Sequence, residues 1–483
     1  MLSREQLIAD IAREVVTRLA AEPVMRSDGG AVAARPAAVR AGDGVFETVD
    51  EAVRAAVEAQ RQLAGMSLSE RGAVVDVIRR VCEERAEELA RRELDETGIG
   101  RLDHKIAKLK AVRQVLGVEA MRSDARSDKS GLCVIERAPW GVIGMVLPAT
   151  HSAPTMASNA VNVLAAGNTA IFSPHPAAAK VAAYALQVFN REIQKATGLA
   201  NAITTLVEPS IQSAEQIFHH KDVALLCVTG GPAVVEAAMK AGKRVIAAGP
   251  GNPPVVVDET ADLDAAAAAI IAGAAFDNNL LCIGEKEVFV VASVMAPFMA
   301  AMRKAGAVEL RAQAIERLSQ AAFTFDGKGK GCGRAHLKKE LVGKDATVLA
   351  DAAGVRVPGG TLLLFGETSE DHAFVQEEQM MPFLPIVRVS DVDAAIAGAL
   401  RAEHGYRHTA LIHSRDVANV TKMARVMNTT LFVHNAACTA ALGLGGAGYL
   451  SFSIATPTGE GVTTPLTFTR ERQIAIGGAL RIV

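Results

Sequence analysis

Arg137-Ala-Pro-Trp-Gly-Val-Ile-Gly-Met-Val-Leu-Pro148 contains a short apolar run, Val142 to Leu147, that stops at a proline. A run of this length with no polar face predicts a strand buried on both sides, as in a parallel sheet. Outward from it, a helix-like stretch leads to Asn168-Thr-Ala-Ile-Phe-Ser-Pro-His-Pro176, a second strand running into a loop. A helix over 178–196 then precedes a third strand near Ile203 to Leu206, and a fourth follows at Val223 to Val228. Strands alternating with helices of this length mean βαβ units. Towards the N-terminus, residues 46–117 have helical spacing, and 129–134 alternate weakly enough to predict a short strand.

The fourth strand ends in Thr229-Gly230-Gly231-Pro232 and opens a helical run from Ala233 to Ala241. Glycines let a phosphate approach the backbone closely, and a helix N-terminus attracts anions. The motif is shorter than the full dinucleotide fingerprint, so an ordinary tight turn is the competing reading. After residue 250 the pattern starts again. Gly249-Pro-Gly-Asn-Pro-Pro254 is a break, Val255 to Val257 a strand, and strand–helix alternation continues through Val433.

Within that second half lies Phe276-Asp-Asn-Asn-Leu-Leu-Cys282-Ile-Gly-Glu-Lys-Glu287, between an alanine-rich segment and the apolar run Val288 to Val291. An amide-bearing turn before a lone thiol, with small residues after it, suits a nucleophile. The thiolate is the reactive form, so the site must lower the thiol pKa or place a base nearby. A free cysteine is otherwise a small buried hydrophobe. Cys82 in a helix, Cys227 in a buried strand and Cys133 in the strand expected at 129–134 take that plainer reading, and Cys332 in a Gly/Lys-rich loop has no assigned role.

Composition excludes several classes. The 483 residues suffice for two or three domains, and 50% hydrophobic with 22% charged residues is ordinary for a soluble α/β enzyme. A net charge of −2 with one Trp and three Tyr offers no field or stacking platform for nucleic acid. Six cysteines without a C-x-x-C pair argue against a metal cluster or disulfide scaffold and for a reducing compartment. No apolar run reaches the roughly 18–20 residues of a membrane span. The charged N-terminus is not expected to be a secretory signal, so the expected location is cytoplasmic.

Residues 2–20 predict an amphipathic helix. Ser3 and Gln6 match a capping box, and Leu7, Ile8, Ile11, Val15, Val16 and Leu19 form one stripe. Residues 21–44, with Pro23, Gly29, Gly30, Pro36, Gly42 and Gly44, read as a linker. A tether of that length favours a helix that docks in another protein's groove over one that packs on its own core.

From about residue 45 onward the chain resembles the aldehyde dehydrogenase superfamily, and most closely its coenzyme A-acylating branch, the propionaldehyde and acetaldehyde dehydrogenases of bacterial microcompartments. The stretches that carry the resemblance are Pro139-Trp-Gly-Val-Ile-Gly144, Leu164-Ala-Ala-Gly-Asn168, Phe172-Ser-Pro-His-Pro176, residues 249–259, residues 276–287, Glu378-Gln-Met-Met-Pro382 and Ala455-Thr-Pro-Thr-Gly-Glu-Gly461. It implies an α/β fold with a Rossmann-type NAD-binding domain over 45–252, a catalytic α/β domain over 253–450 and a C-terminal return over 451–483. A small β oligomerisation arm would use 127–138 and the return, giving a homo-oligomer, dimer or tetramer.

The resemblance also implies the chemistry. Cys282 would attack the aldehyde, pass hydride to the nicotinamide and keep the acyl group as a thioester. The Cys282 N–H and a side chain near Thr150-His151 would form the oxyanion hole, although His151 stands where relatives often carry Asn. The cofactor site would use Pro148, Ser173, His175, Thr229, Gly230, Gly231 and Glu378, with Glu378 on the nicotinamide ribose. Ser173 and His175 stand where hydrolytic members carry a lysine motif. Those members also carry a general-base glutamate in Glu-Leu-Gly-Gly, whereas residues 246–250 here are Ile-Ala-Ala-Gly-Pro, without a carboxylate. The thioester would therefore wait for a thiol, coenzyme A. The expected substrate is a short aliphatic aldehyde, propanal, with acetaldehyde or a hydrolytic reaction as alternatives. A catalytically dead assembly protein is the reading from another class. Residues 1–20 look like the encapsulation peptides of microcompartment cargo, which implies shell proteins as partners and the compartment lumen as location.

Overall fold

The computed structural model describes residues 40–326 and 335–478. The expected N-terminal helix, all of the linker before Arg40, and Cys332 lie outside the described residues. Two parallel sheets organise the rest. The first has six strands in the order Val45–Phe46, Ile203–Leu206, Thr169–Pro174, Val142–Leu147, Val223–Thr229 and Arg244–Ala248. The second has seven, in the order Val308–Glu309, Leu364–Thr368, Phe383–Val389, Glu287–Val291, Pro254–Val257, Thr409–His413 and Leu431–His434.

In the first sheet the strand order reverses between Val142–Leu147 and Val223–Thr229. Ligands of open parallel sheets bind at such a reversal, outside the carboxyl ends of the strands. Helix Ser152–Ala165, the crossover that leaves Val142–Leu147, is buried along its whole length, its mostly small residues including the buried polar Ser158, Asn159 and Asn162. Gly144 permits close packing: a Cβ there would come within 2.7 Å of Ile217 on helix Ile211–His219. Helices Val49–Gly65 and Leu68–Glu84 both begin with capping boxes, Thr48 with Glu51 and Ser67 with Glu70.

The expected strand at 129–134 needs correction, as does the single arm strand at 127–138. Asp124–Asp128 and Gly131–Pro139 form a hairpin that turns at Lys129-Ser130, where the Asp128 side chain accepts the Ser130 N–H (2.7 Å). Thr469–Gly477 adds a third, antiparallel strand. The return segment is fastened by Asn168 of the Leu-Ala-Ala-Gly-Asn stretch. Its Oδ1 accepts Trp140 N–H (2.6 Å) and Gly141 N–H (3.0 Å), while Nδ2 donates to Phe468 O (2.9 Å). Among the described residues, no helix is long and apolar enough to cross a membrane.

Candidate active site

The loop before Cys282 has an uncommon backbone. Asp277, Asn278 and Asn279 are consecutive and all left-handed, with φ of 50°, 56° and 65°. This region costs an ordinary L-residue roughly 1–2 kcal/mol, and Asp and Asn tolerate it best. Such strain persists only where the surroundings hold it, and here each side chain is clamped. Asp277 pairs with Lys108 and accepts the Arg101 N–H (2.7 Å), with Lys105 at 3.9 Å. Asn278 donates to Gly343 O (2.9 Å) and Asp345 (2.8 Å). Asn279 donates to Ala274 O (2.8 Å) and Glu285 O (2.9 Å). The loop arrives at Cys282 rigid, with Leu281 and Ile283 buried and Cys282 partly open.

Around the sulfur, four segments converge from the amino ends of the second sheet's strands. Lys286, fully buried, donates to Asn279 O (2.9 Å), Asn279 Oδ1 and Leu281 O (3.1 Å). Gly251 lies against the Cys282 carbonyl so closely that a Cβ would come within 2.6 Å of it, and the His408 ring packs on the same glycine. Asn252 anchors that turn through Val375 O and Ala402 O, both at 2.9 Å. Glu378 accepts the Gly251 N–H; burial pushes its carboxyl up to about 7 against the pull of Lys286. Burial, then the facing Glu378, push the Cys282 thiol up to about 12, opposed by Lys286 and by the N–H groups of Cys282 and Ile283. These surroundings favour the neutral thiol at Cys282 over the lowered-pKa thiolate that is the first of the two options above.

Opposite, at the carboxyl ends of the first sheet, Pro148 ends Val142–Leu147, and His151 sits at the N-cap of helix Ser152–Ala165. His151 is buried, tilted against Phe452 (5.9 Å between ring centres), and its Nδ1 has no partner. Burial and the nearby lysines hold it well below the usual histidine range, so it is neutral. Lys105 and Lys108 both reach Thr150 O (3.4 Å) as well as Asp277. One buried cluster thus joins the His151 loop to the loop that leads to Cys282.

Thr229, Gly230 and Gly231 lie at the strand reversal. Thr229 Oγ1 and Ser453 Oγ are 2.8 Å apart, Gly230 N–H reaches Ala248 O (3.3 Å), and Gly231 caps helix Pro232–Met239 without a side-chain bond. A Cβ on Gly231 would meet nothing within 4 Å, whereas one on Gly230 would strike Val234 at 2.8 Å. Open space before uncapped helix N–H groups fits a dinucleotide diphosphate. Ser173 is buried within Thr169–Pro174 and shares the same sheet edge. His175 is exposed, its Nδ1 accepting the Ala177 N–H (3.1 Å), which ties the ring into its own turn.

Several buried groups escaped the sequence reading: Lys105, Lys108, Glu285, Lys286, Glu287, His408 and Cys438. Glu285 accepts the Cys438 N–H (2.8 Å), and burial pushes its carboxyl up to about 7. Burial, then Lys286, hold His408 down to about 4, and its Nε2 has no partner. One signal was present. Three successive charged residues, Glu285-Lys286-Glu287, enter an apolar strand that a central sheet position must bury.

The chain matches the aldehyde dehydrogenase family over residues 37–449. It is 45% identical over 443 residues to the acetylating acetaldehyde dehydrogenase EutE of Salmonella typhimurium, covering 91% of this chain and 94% of that one. Among solved structures it is similar to the Rhodopseudomonas palustris propionaldehyde dehydrogenase with bound coenzyme A and an acylated cysteine. The identity is 41% and the TM-score 0.88, with 92% of this chain and 100% of the other covered. A propionaldehyde dehydrogenase from the Clostridium phytofermentans fucose utilisation bacterial microcompartment gives 40% and 0.88, with the same coverage.

Proposed function

The chain belongs to the aldehyde dehydrogenase family, and from that premise we propose that it oxidises a short aliphatic aldehyde, propanal, to the acyl-CoA, using a nicotinamide dinucleotide and coenzyme A. One observation carries the choice of acyl acceptor. At the end of Arg244–Ala248, where hydrolytic relatives are expected to hold their base, stand the buried Ala247 and Ala248. The Ala247 N–H is bound to Thr458 Oγ1 (3.0 Å), and Pro457 lies against Gly249. The return segment packs into that corner, and residues 246–250 themselves bring no carboxylate to it. The Glu460 of the return segment is paired with Arg244 (3.4 Å), and its charge acts on Cys227.

Cys282 Sγ adds to the aldehyde carbon and passes its proton to the ionised Glu378 carboxylate as the S–C bond forms. Charge developing on the aldehyde oxygen is met by the Cys282 N–H, with neutral His151 assigned as the side-chain donor. When bound, the nicotinamide supplies the hydride acceptor. The acyl group stays on Cys282 as a thioester until the coenzyme A thiol displaces it. A thiol ionises far closer to neutrality than water, so this step needs no strong base.

The test is NADH formation from propanal and NAD with and without coenzyme A, the product identified by mass spectrometry. Without coenzyme A, formation is expected to stop after about one equivalent per site, the burst that an accumulating acyl-enzyme produces. Sustained turnover to propionate would reject the acylating reading and assign water activation to Glu378, the carboxyl whose charge acts on the Cys282 thiol. Parallel kcat/KM values for propanal and acetaldehyde decide between those substrates.

The NAD-binding and catalytic units are assigned to 45–252 and 253–450, the linker to 21–44 and the return to 451–483. The strand Asp124–Asp128, exposed along its whole length, supports the arm as the contact between copies of the chain. Residues 1–20 are assigned to binding microcompartment shell proteins, with the enzyme in the lumen. Deleting them should leave kcat/KM within about twofold while abolishing co-sedimentation with shells. Retained co-sedimentation would remove that assignment.

A further inference from the structure

Lys286 belongs to a segment, Glu285-Lys286-Glu287, in which no residue is exposed. A strand with one solvent face would bury alternate residues only. Here all three are enclosed because the segment enters the middle of the second sheet: Lys286 N–H donates to Pro253 O (3.1 Å), and Glu287 pairs with Pro254. A buried ammonium has three donors to satisfy. All three are used, and every acceptor lies in the loop that leads to Cys282: Asn279 O, Asn279 Oδ1 and Leu281 O.

The last of these bonds reaches the reacting centre. Leu281 C=O and Cys282 N–H belong to one planar trans peptide and point in opposite directions. A cation that holds the oxygen therefore aims the hydrogen the other way. Gly284 N–H also donates to Leu281 O (3.0 Å), so the oxygen is held from two sides and the plane cannot roll. We propose that Lys286 is a positioning residue for aldehyde oxidation: by gripping Leu281 O it orients the Cys282 N–H as the oxyanion donor. The proposal rests on Cys282 being the nucleophile and adds the group that sets its amide.

The ionisable groups around Lys286 come from every neighbouring segment. Glu378 faces it from the loop before Phe383–Val389, Cys438 from the turn after Leu431–His434, and Cys282 and Glu287 from its own segment. His408 and Glu285 feel its charge as well, and Glu403 faces Glu287. Replacing Lys286 thus alters both the thiol's ionisation and the amide's direction, and the experiment has to separate them. Alkylation by iodoacetamide requires the thiolate but forms no oxyanion, whereas aldehyde addition requires both.

The full chain is compared with Lys286→Met and Lys286→Arg. The readouts are the first-turnover rate of NADH formation without coenzyme A and the rate of Cys282 alkylation, across pH 6–10. Circular dichroism and NAD binding report the fold. In Lys286→Met, NADH formation is expected to fall about 100-fold or more, the cost of an oxyanion donor, and alkylation by no more than about tenfold. Lys286→Arg keeps the charge but spreads its donors over a planar fork. Alkylation should stay within about twofold while NADH formation falls about tenfold. If the ratio of the two rates in a folded variant stays within about twofold of the parent, the proposal is overturned. Loss of fold in both variants would assign Lys286 to stability and overturn it too. A Cys282→Ala protein that still forms NADH would instead reject the nucleophile assignment, leaving Lys286 without a role to position.

Discussion

Replacing Cys282 with alanine is expected to lower aldehyde-dependent NADH formation by at least about 1,000-fold, as removal of a covalent nucleophile does. The side chain stands partly open at the end of a clamped loop. Of the other described cysteines, Cys82, Cys227 and Cys438 are buried, and the half-buried Cys133 lies in the three-stranded arm, paired with Arg126 and Ala475 and outside both parallel sheets. NAD affinity should stay within about threefold, because the glycine turn at Gly230-Gly231 belongs to the other sheet. Isothermal titration and a single-turnover assay measure the two quantities. Activity within tenfold of the parent would mean that another group forms the acyl-enzyme.

Replacing Asp277 with alanine is expected to destabilise the protein by about 3–5 kcal/mol, the range for removing one partner of a buried ion pair. Asp277 and Glu93 balance Lys105 and Lys108 in a space closed to water. Without Asp277, two ammonium groups would face one carboxylate whose own pKa burial has already raised. The Arg101 N–H would lose its acceptor, and alanine would sit at φ 50°, which it disfavours. Asp277→Asn keeps the amide acceptor and the backbone preference, so the difference between the two variants isolates the charge. The sign with pH follows from linkage. Burial opposes ionisation of Asp277, but Lys108 and Lys105 together hold its carboxyl below the ordinary 3.8. Its contribution is full above that value and is lost as pH falls through the lower, folded-state value. Urea midpoints of both variants at pH 7 test this. An Asp277→Ala protein as stable as the parent would mean that water reaches the lysines.

Much of the fold was legible because its signals are local. Val142–Leu147, Ile203–Leu206 and Val223–Thr229 are short apolar runs closed by Pro, Gly or polar turns, and such runs fold as buried parallel strands whatever else is nearby. The hairpin that turns at Lys129-Ser130, where the sequence predicts one strand, is illegible for the opposite reason. Asp124–Asp128 is exposed on both faces, so no buried face imprints an alternating pattern on it. Lys105 and Lys108 carry no signal of burial in the sequence, because lysines three residues apart on a helix ordinarily lie on a solvated face. Their burial depends on Asp277 and Glu93, 172 and 12 residues from Lys105 in the chain.

The sequence alone determined which strands are buried, where the backbone must be glycine, which thiol follows an amide-rich turn, and that residues 246–250 bring no carboxylate. Each is a property of contiguous residues. Only the tertiary structure decided that burial raises the Cys282 thiol, that Lys105 and Lys108 link the His151 loop to Asp277, and that Lys286 holds the peptide between Leu281 and Cys282. Those are electrostatic facts, set by which charges lose their water together, and that depends on the packing of segments far apart in the chain.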